Sequence, residues 1–267
     1  METASIQFRG AKITYYSQGT GTPVVLLHGF CEDSAIWEGY DEGLPGCRII
    51  RIDLPGFGDS QVIPGASIGD RADAVYAVVT AALSERFVLV GHSMGGYVSL
   101  AFAEKYPQLL LGLGLFHSHP FADLEDKKAG RDKSIAFIRQ YGHVPFVRQL
   151  IPGLFAPAYV ETHPILINYL IDRATSYSAE AIIDALQAMR DRPDRSHVLR
   201  TLPLPVLFII GRLDGSIPAS QSMEQTHLPA VADIHVLEEV AHMGMWEAPE
   251  KTLRIVRDFV AFCLSQS

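Results

Sequence analysis

Apolar positions along the chain follow two rhythms, and the switches between them mark out the elements. Largely apolar runs recur at residues 23–29, 87–90, 109–116 and 206–210, and 48–53 makes another around Ile49, Ile50 and Ile52. Short runs with no polar alternation are what strands covered on both faces require. Helix-period stretches lie between and after them: the alanine-rich 72–83, the segment 219–227 and a last helix from Pro249. In that last helix Leu253, Val256, Val260 and Cys263 fall on one face, and Pro249 suits its first turn. Residues 6–8 and 13–16, separated by Arg9-Gly10, read as an opening hairpin, and 233–237 as a late strand. Alternating β and α elements predict a mostly parallel sheet with helices on both faces.

From 118 to 195 the strand rhythm stops. Helix-period stretches at 134–140, 165–174 and 179–189 replace it, punctuated by Pro145, Pro152, Pro157 and Pro164. The expected organisation is a core domain of residues 1–117 and 196–267, interrupted by a helical cap of residues 118–195. The insertion follows a strand end, at the carboxyl edge where open α/β sheets bind ligands. There is no internal repeat, and 267 residues suffice for one large core.

Charge narrows the choice of partner. The net charge is −8, and cations and anions balance within 118–195, so the acidic excess lies wholly in the core segments. Nucleic acid and anionic membrane are therefore not expected partners; a small-molecule substrate is. Cys31, Cys47 and Cys263 are unclustered, the first residues carry no basic-then-apolar leader, and no apolar run is long enough to span a bilayer. These features point to the cytoplasm. No cofactor or metal is expected: Gly56-Phe57-Gly58 lacks the third glycine of a dinucleotide loop, and His117-Ser118-His119 lacks a third ligand.

The chemistry centres on Val88-Leu89-Val90-Gly91-His92-Ser93-Met94-Gly95-Gly96, a G-x-S-x-G turn between an apolar strand and a helical segment. A serine raised on so sharp a turn needs small neighbours two residues to either side, which Gly91 and Gly95 supply. Its hydroxyl is a weak nucleophile until a base takes the proton and an acid orients the base. The order Ser, acid, His is met by Asp214, just past the run 206–210, and by His242, past the next strand. Asp123 competes for the acid role, while Asp233, Glu238 and Glu239 are worse placed. Backbone amides of Phe30 and Met94 are the candidate oxyanion donors. The cap aromatics Phe121, Phe137, Phe146, Phe155 and Tyr159, with Met189, are candidates either for a substrate pocket or for the cap's own core. His117, at a strand end, is a candidate pocket residue.

Taken in order, Leu26-Leu27-His28-Gly29-Phe30, Asp53-Leu54-Pro55-Gly56-Phe57-Gly58-Asp59-Ser60, Gly91-His92-Ser93-Met94-Gly95-Gly96, Gly211-Arg212-Leu213-Asp214 and Ala241-His242-Met243 resemble the α/β-hydrolase superfamily. The resemblance covers nearly all of the chain outside the insertion. It implies an eight-stranded sheet whose second strand is antiparallel, with a helical cap after the sixth strand. It carries over Ser93 as nucleophile, His242 as base, Asp214 as acid, and the Phe30 and Met94 amides as oxyanion hole. The chain is most similar to small capped esterases and carbon–carbon hydrolases, with cofactor-free perhydrolases nearby. The expected activity is cleavage of a small ester, thioester or lactone. The alternatives are carbon–carbon bond cleavage on the same triad and a ligand-binding receptor that retains the fold. Cys31 departs from the pattern, standing where many relatives carry glycine or another small residue.

Overall fold

The structure, a computed structural model, describes residues 1–266. Eight strands form one sheet: β1 (Glu2–Phe8), β2 (Ala11–Gly19), β3 (Thr22–Leu27), β4 (Cys47–Ile52), β5 (Phe87–His92), β6 (Leu110–Phe116), β7 (Val206–Gly211) and β8 (Ala232–Leu237). Their spatial order is β1-β2-β4-β3-β5-β6-β7-β8. β2 pairs antiparallel with both β1 and β4, and every other pairing is parallel. The expected eight-stranded α/β-hydrolase sheet is therefore present, with its second strand reversed. The hairpin strands run longer than the sequence pattern marked, because their half-exposed faces carry polar residues.

The helices of the first half are α1 (Tyr40–Gly43), α2 (Ile68–Ala82) and α3 (Met94–Lys105). α2 begins earlier than its alanine-rich stretch because Ser67 and Asp70 form a reciprocal capping box. After β3 comes a single 3-10 turn, Ser34–Trp37, opened by the Asp33 carboxylate on the Ala35 amide. Gly39, at φ 90°, separates that turn from α1.

Between β6 and β7 lie α4 (Glu125–Tyr141), α5 (His143–Leu150), α6 (Pro157–Thr162), α7 (Pro164–Thr175), α8 (Ala179–Arg190) and α9 (Ser196–Thr201). Proline opens α6 and α7, where its missing amide costs nothing. The chain closes with α10 (Ala219–Met223), α11 (Gly244–Glu247) and α12 (Pro249–Ser265). α10 stops well short of the predicted 227. Beyond it, buried Gln225 spends its side-chain amide on the Ser118 carbonyl, at 2.7 Å. Among the described residues no helix is long and apolar enough to cross a membrane.

The central strands are buried along their whole length, as their unbroken apolar sequence requires. The glycines of β6 set how closely its neighbours approach. A Cβ on Gly112 would lie 2.4 Å from the Cys263 sulfur of α12, and one on Gly114 would lie 2.9 Å from Val90.

Two glycine substitutions test this packing. A Cβ at Gly95 would sit 2.6 Å from the Leu27 and His28 carbonyl oxygens, which are backbone and cannot swing away. Gly95→Ala is expected to destabilise the fold by about 1–3 kcal/mol, as overpacked sites do. Gly130, inside α4, has nothing within 4 Å of its Cβ position. There Gly130→Ala is expected to stabilise by about 0.5–1 kcal/mol through backbone entropy. Urea unfolding of both variants checks the opposite signs.

Candidate active site

Ser93 stands between β5 and α3 with φ 49° and ψ −113°, a strained conformation for a residue with a side chain. Three glycines make the turn possible. A Cβ on Gly91 would meet the Gly95 carbonyl at 2.3 Å, and one on Gly96 would meet Ser118 Oγ at 2.2 Å. Gly95, as above, lies against β3. The backbone around Ser93 is saturated: its N–H donates to the Phe116 carbonyl at 3.0 Å, and its carbonyl accepts from the Gly96 amide and from Ser118 Oγ. The need for small residues at 91 and 95 follows the sequence reading; Gly96 belongs with them.

Asp214 follows β7 and is almost fully buried. One carboxylate oxygen accepts the Ser216 and Ile217 amides at 2.8 and 2.9 Å, and the other lies 2.7 Å from His242 Nδ1. That contact puts the imidazole proton on Nδ1 and leaves Nε2 with its lone pair. Burial alone would raise the Asp214 carboxyl, but the facing His242 ring, then His117 and the Ile217 amide, hold it down at about 2. Burial likewise opposes charging His242, and the Asp214 carboxylate overrides it, so the imidazole is held above its ordinary value. The His242 backbone is tied on both sides: its amide donates to the Leu154 carbonyl at 2.9 Å, and its carbonyl faces His92 Nε2 at 2.9 Å.

The rival acids are occupied elsewhere. The Asp123 carboxylate is shared by Arg131 and Arg192, the latter at 2.7 Å. Asp233 pairs with His235, and Glu238 with Arg212.

Phe30 lies in the loop after β3, partly buried and packed edge-on against Phe57 and Phe146. Met94 opens α3 and is fully buried. Among the described residues, neither the Phe30 nor the Met94 N–H has a protein acceptor. Cys31 adopts φ 58°, the left-handed region that favours glycine, which is the physical reason glycine suits this position.

A cavity of about 360 Å³ brings Ser93, His242 and Phe30 together with side chains of α4, α5 and α8. Of the expected pocket residues it includes Phe146 and Met189. Five others do not line it. His117 is buried behind the site: its Nδ1 accepts the Gly211 amide at 3.1 Å, and burial pushes it well below the ordinary imidazole value. Phe121 stacks on His119, whose own value burial and Arg192 push down to about 3. Phe155 is buried against Tyr159, with the two rings nearly parallel, and neither lines the cavity. Phe137 is exposed on α4 and borders a neighbouring groove with Phe146.

The wall also holds residues that the sequence pattern did not mark: Glu32, Tyr97, Lys127, Arg131, Leu150 and Leu154. Lys127 Nζ donates to the Ser216 carbonyl at 3.1 Å, across the cavity mouth from α4 to the loop after Asp214. Polar residues on an amphipathic helix carry no periodic signal that separates a cavity wall from solvent.

Residues 22–249 match the family described as alpha/beta hydrolase fold. A thermophilic esterase from Thermogutta terrifontis, solved with malate bound, is 30% identical with a TM-score of 0.92, over 98% of this chain and 99% of that one. A 2-hydroxy-6-oxononadienedioate/2-hydroxy-6-oxononatrienedioate hydrolase from Burkholderia vietnamiensis is 26% identical over 93% of this chain and 91% of its own length. A 2-succinyl-6-hydroxy-2,4-cyclohexadiene-1-carboxylate synthase from Salmonella newport is 27% identical, over 86% of this chain and 90% of its own. The family match spans most of the sequence and includes the strand ends that carry Ser93, Asp214 and His242: the chain belongs to the α/β-hydrolase fold family.

Proposed function

We propose that the protein is a serine hydrolase that cleaves a small ester, thioester or lactone through an acyl-enzyme formed on Ser93. The observation that carries this reading is the 2.7 Å contact from Asp214 to His242 Nδ1, with the imidazole lining the same cavity as Ser93. In this reading His242 Nε2 takes the Ser93 proton as the hydroxyl attacks the substrate carbonyl. Asp214 holds the ring in the required tautomer and stabilises the imidazolium that forms. The Phe30 and Met94 amides, free of protein acceptors, receive the oxyanion. His242 then returns its proton to the leaving group, and water releases the acyl group by the same steps in reverse. The helices between β6 and β7 set substrate size through Phe146, Leu150 and Leu154. Likeness to an esterase supports ester chemistry. The name of the Burkholderia vietnamiensis relative favours, as a second reading, a hydrolase of oxo-dienoate acids on the same triad. Turnover of graded p-nitrophenyl esters beside such an acid separates the two.

Ser93→Ala should keep the fold and lose ester turnover by about 10⁴-fold or more. A fluorophosphonate should label the wild-type chain and spare this variant; equal labelling of both would place the nucleophile elsewhere.

The pH profile has a definite sign. The free enzyme needs neutral His242, so kcat/KM should rise with pH through a value above that of an ordinary imidazole. Asp214→Asn removes the main raising partner, so the acidic limb should move to lower pH while the rate falls steeply. Asp123→Asn should leave the limb in place and instead cost about 3 kcal/mol of stability, because it unbalances two largely buried arginines. Rate profiles and denaturant curves of the two variants distinguish acid from structural ion pair.

Phe146 and Phe155 should also part ways. Phe146→Ala is expected to shift the preferred acyl length, by roughly 1–3 kcal/mol per methylene-sized contact. Phe155→Ala should cost about 3–5 kcal/mol of stability, with an unchanged order of preference among esters. Measured kcat/KM across the ester series, with unfolding curves, checks both.

A further inference from the structure

Glu32 and His92 have no part in the steps above, yet they lie at the centre of the site. Glu32 is 6% exposed and His92 fully buried. A single carboxylate oxygen of Glu32 accepts the Gly29 amide at 2.7 Å and lies 2.9 Å from His92 Nδ1. The other ring nitrogen, His92 Nε2, lies 2.9 Å from the backbone carbonyl of His242. A carbonyl oxygen only accepts, and so does a carboxylate. With Glu32 ionised, both contacts are hydrogen bonds only when both His92 nitrogens carry protons, which makes the pair a buried carboxylate–imidazolium. Nothing else fits there: a Cβ on Gly29 would sit 2.7 Å from His92 Nδ1 and 2.8 Å from the Glu32 carboxylate. The left-handed turn at Cys31 returns the chain so that Glu32 reaches back to Gly29 and His92.

Three chain segments meet in this chain of hydrogen bonds. Gly29 precedes Phe30 in the candidate oxyanion loop, His92 precedes Ser93 at the elbow, and the His242 carbonyl belongs to the base. We infer that Glu32 and His92 form a second acid–base pair, acting as positioning residues that fix the oxyanion loop, the nucleophile and the base relative to one another. The inference rests on the hydrolase reading and deepens it. The three segments follow β3, β5 and β8, so the pair ties together loops that come from separate strands. The pair is neutral overall, so it orders the site without placing a net charge beside the developing oxyanion.

Donor and acceptor polarity makes the inference testable. Glu32→Gln can keep every tie: Gly29 N–H to the new amide oxygen, the amide N–H to His92 Nδ1, and His92 Nε2–H to the His242 carbonyl. It is the conservative variant and should keep most of kcat. Glu32→Leu removes the acceptor that Gly29 and His92 share, and His92→Leu removes the link to the His242 carbonyl. Each leucine variant should lose about tenfold to a hundredfold in kcat, the scale of an ångström's misplacement of reacting groups, with KM within about twofold. Fluorophosphonate labelling of Ser93 should slow by a similar factor, and the double leucine variant should lose no more than the worse single one, because the two residues act as a unit.

The experiment measures kcat, KM, labelling rate and melting temperature for the wild type, Glu32→Gln, both leucine variants and their double. Retained kcat in Glu32→Gln, with KM preserved and losses in the leucine variants that do not multiply, supports the inference. It is overturned if Glu32→Leu leaves kcat unchanged, if Glu32→Gln loses as much as Glu32→Leu, if the two leucine losses multiply, or if kcat, KM and melting temperature all deteriorate together, which is what a packing role predicts. Should Glu32→Leu fail to fold, His92→Leu against Glu32→Gln carries the same comparison. A wild type that is not labelled at Ser93 overturns the hydrolase reading and this inference with it. Normal labelling in both the wild type and Glu32→Leu overturns the inference alone.

Discussion

The site depends on how closely one helix packs against the sheet. α3 rises from the end of β5 so near to β3 that the Gly95 Cβ position is 2.6 Å from two backbone carbonyls. Only that approach leaves Ser93 at positive φ with its side chain toward the cavity. Strain of this kind costs about 1–3 kcal/mol. It is held by the hydrogen bonds that saturate the Ser93 backbone and by the burial of nearly the whole of α3, from Met94 to Ala103. The strain is stored where the carbonyl ends of β3, β5 and β6 converge. The loops that meet around Ser93 therefore start from fixed points.

Much of this could be read from the sequence because the determining constraints are local. An unbroken apolar run reports a strand covered on both faces, and paired glycines around a serine report a turn with no room for Cβ atoms. His242 and Asp214 could be placed because each follows a strand end, and parallel strands deliver their ends to one edge. The pocket was less legible for a physical reason. Helical periodicity reports which side chains are apolar, and both a cap core and a substrate wall are apolar. Leu154 and Phe155 are adjacent, yet the first faces the cavity and the second stacks on Tyr159. One residue of rotation in an irregular stretch decides between them, and no pattern encodes it. His117 failed for a different reason. Its positive φ turns the ring back beneath β7, where the Gly211 amide captures it.

Electrostatics sort the carboxylates by what surrounds each one. Asp123 and Asp214 are both buried acids, but Asp123 faces two guanidinium groups that cannot give up a proton. Asp214 faces an imidazole, whose charge can change during a reaction. Residue type alone left the two as competitors. Their partners, set by tertiary packing, separate a structural ion pair from a group able to steer proton transfer.

The helices between β6 and β7 do more than roof the cavity, because they bond to the loops that hold the site. The Leu154 carbonyl receives the His242 amide, Ala156 N–H donates to Glu247 at 2.9 Å, and Tyr159 Oη donates to the Trp246 carbonyl at 2.9 Å. On the other side, Arg173 and Tyr177 both bind the Asp33 carboxylate, one residue beyond Glu32. The segment around 154–159 therefore sets the position of the loop that carries His242 as well as one wall of the cavity. Phe146 lines the same cavity, packs against the core and meets the Phe30 ring edge-on. In the proposed hydrolase, pocket shape and base position are coupled at Leu154, whose side chain lines the cavity and whose carbonyl holds the His242 amide.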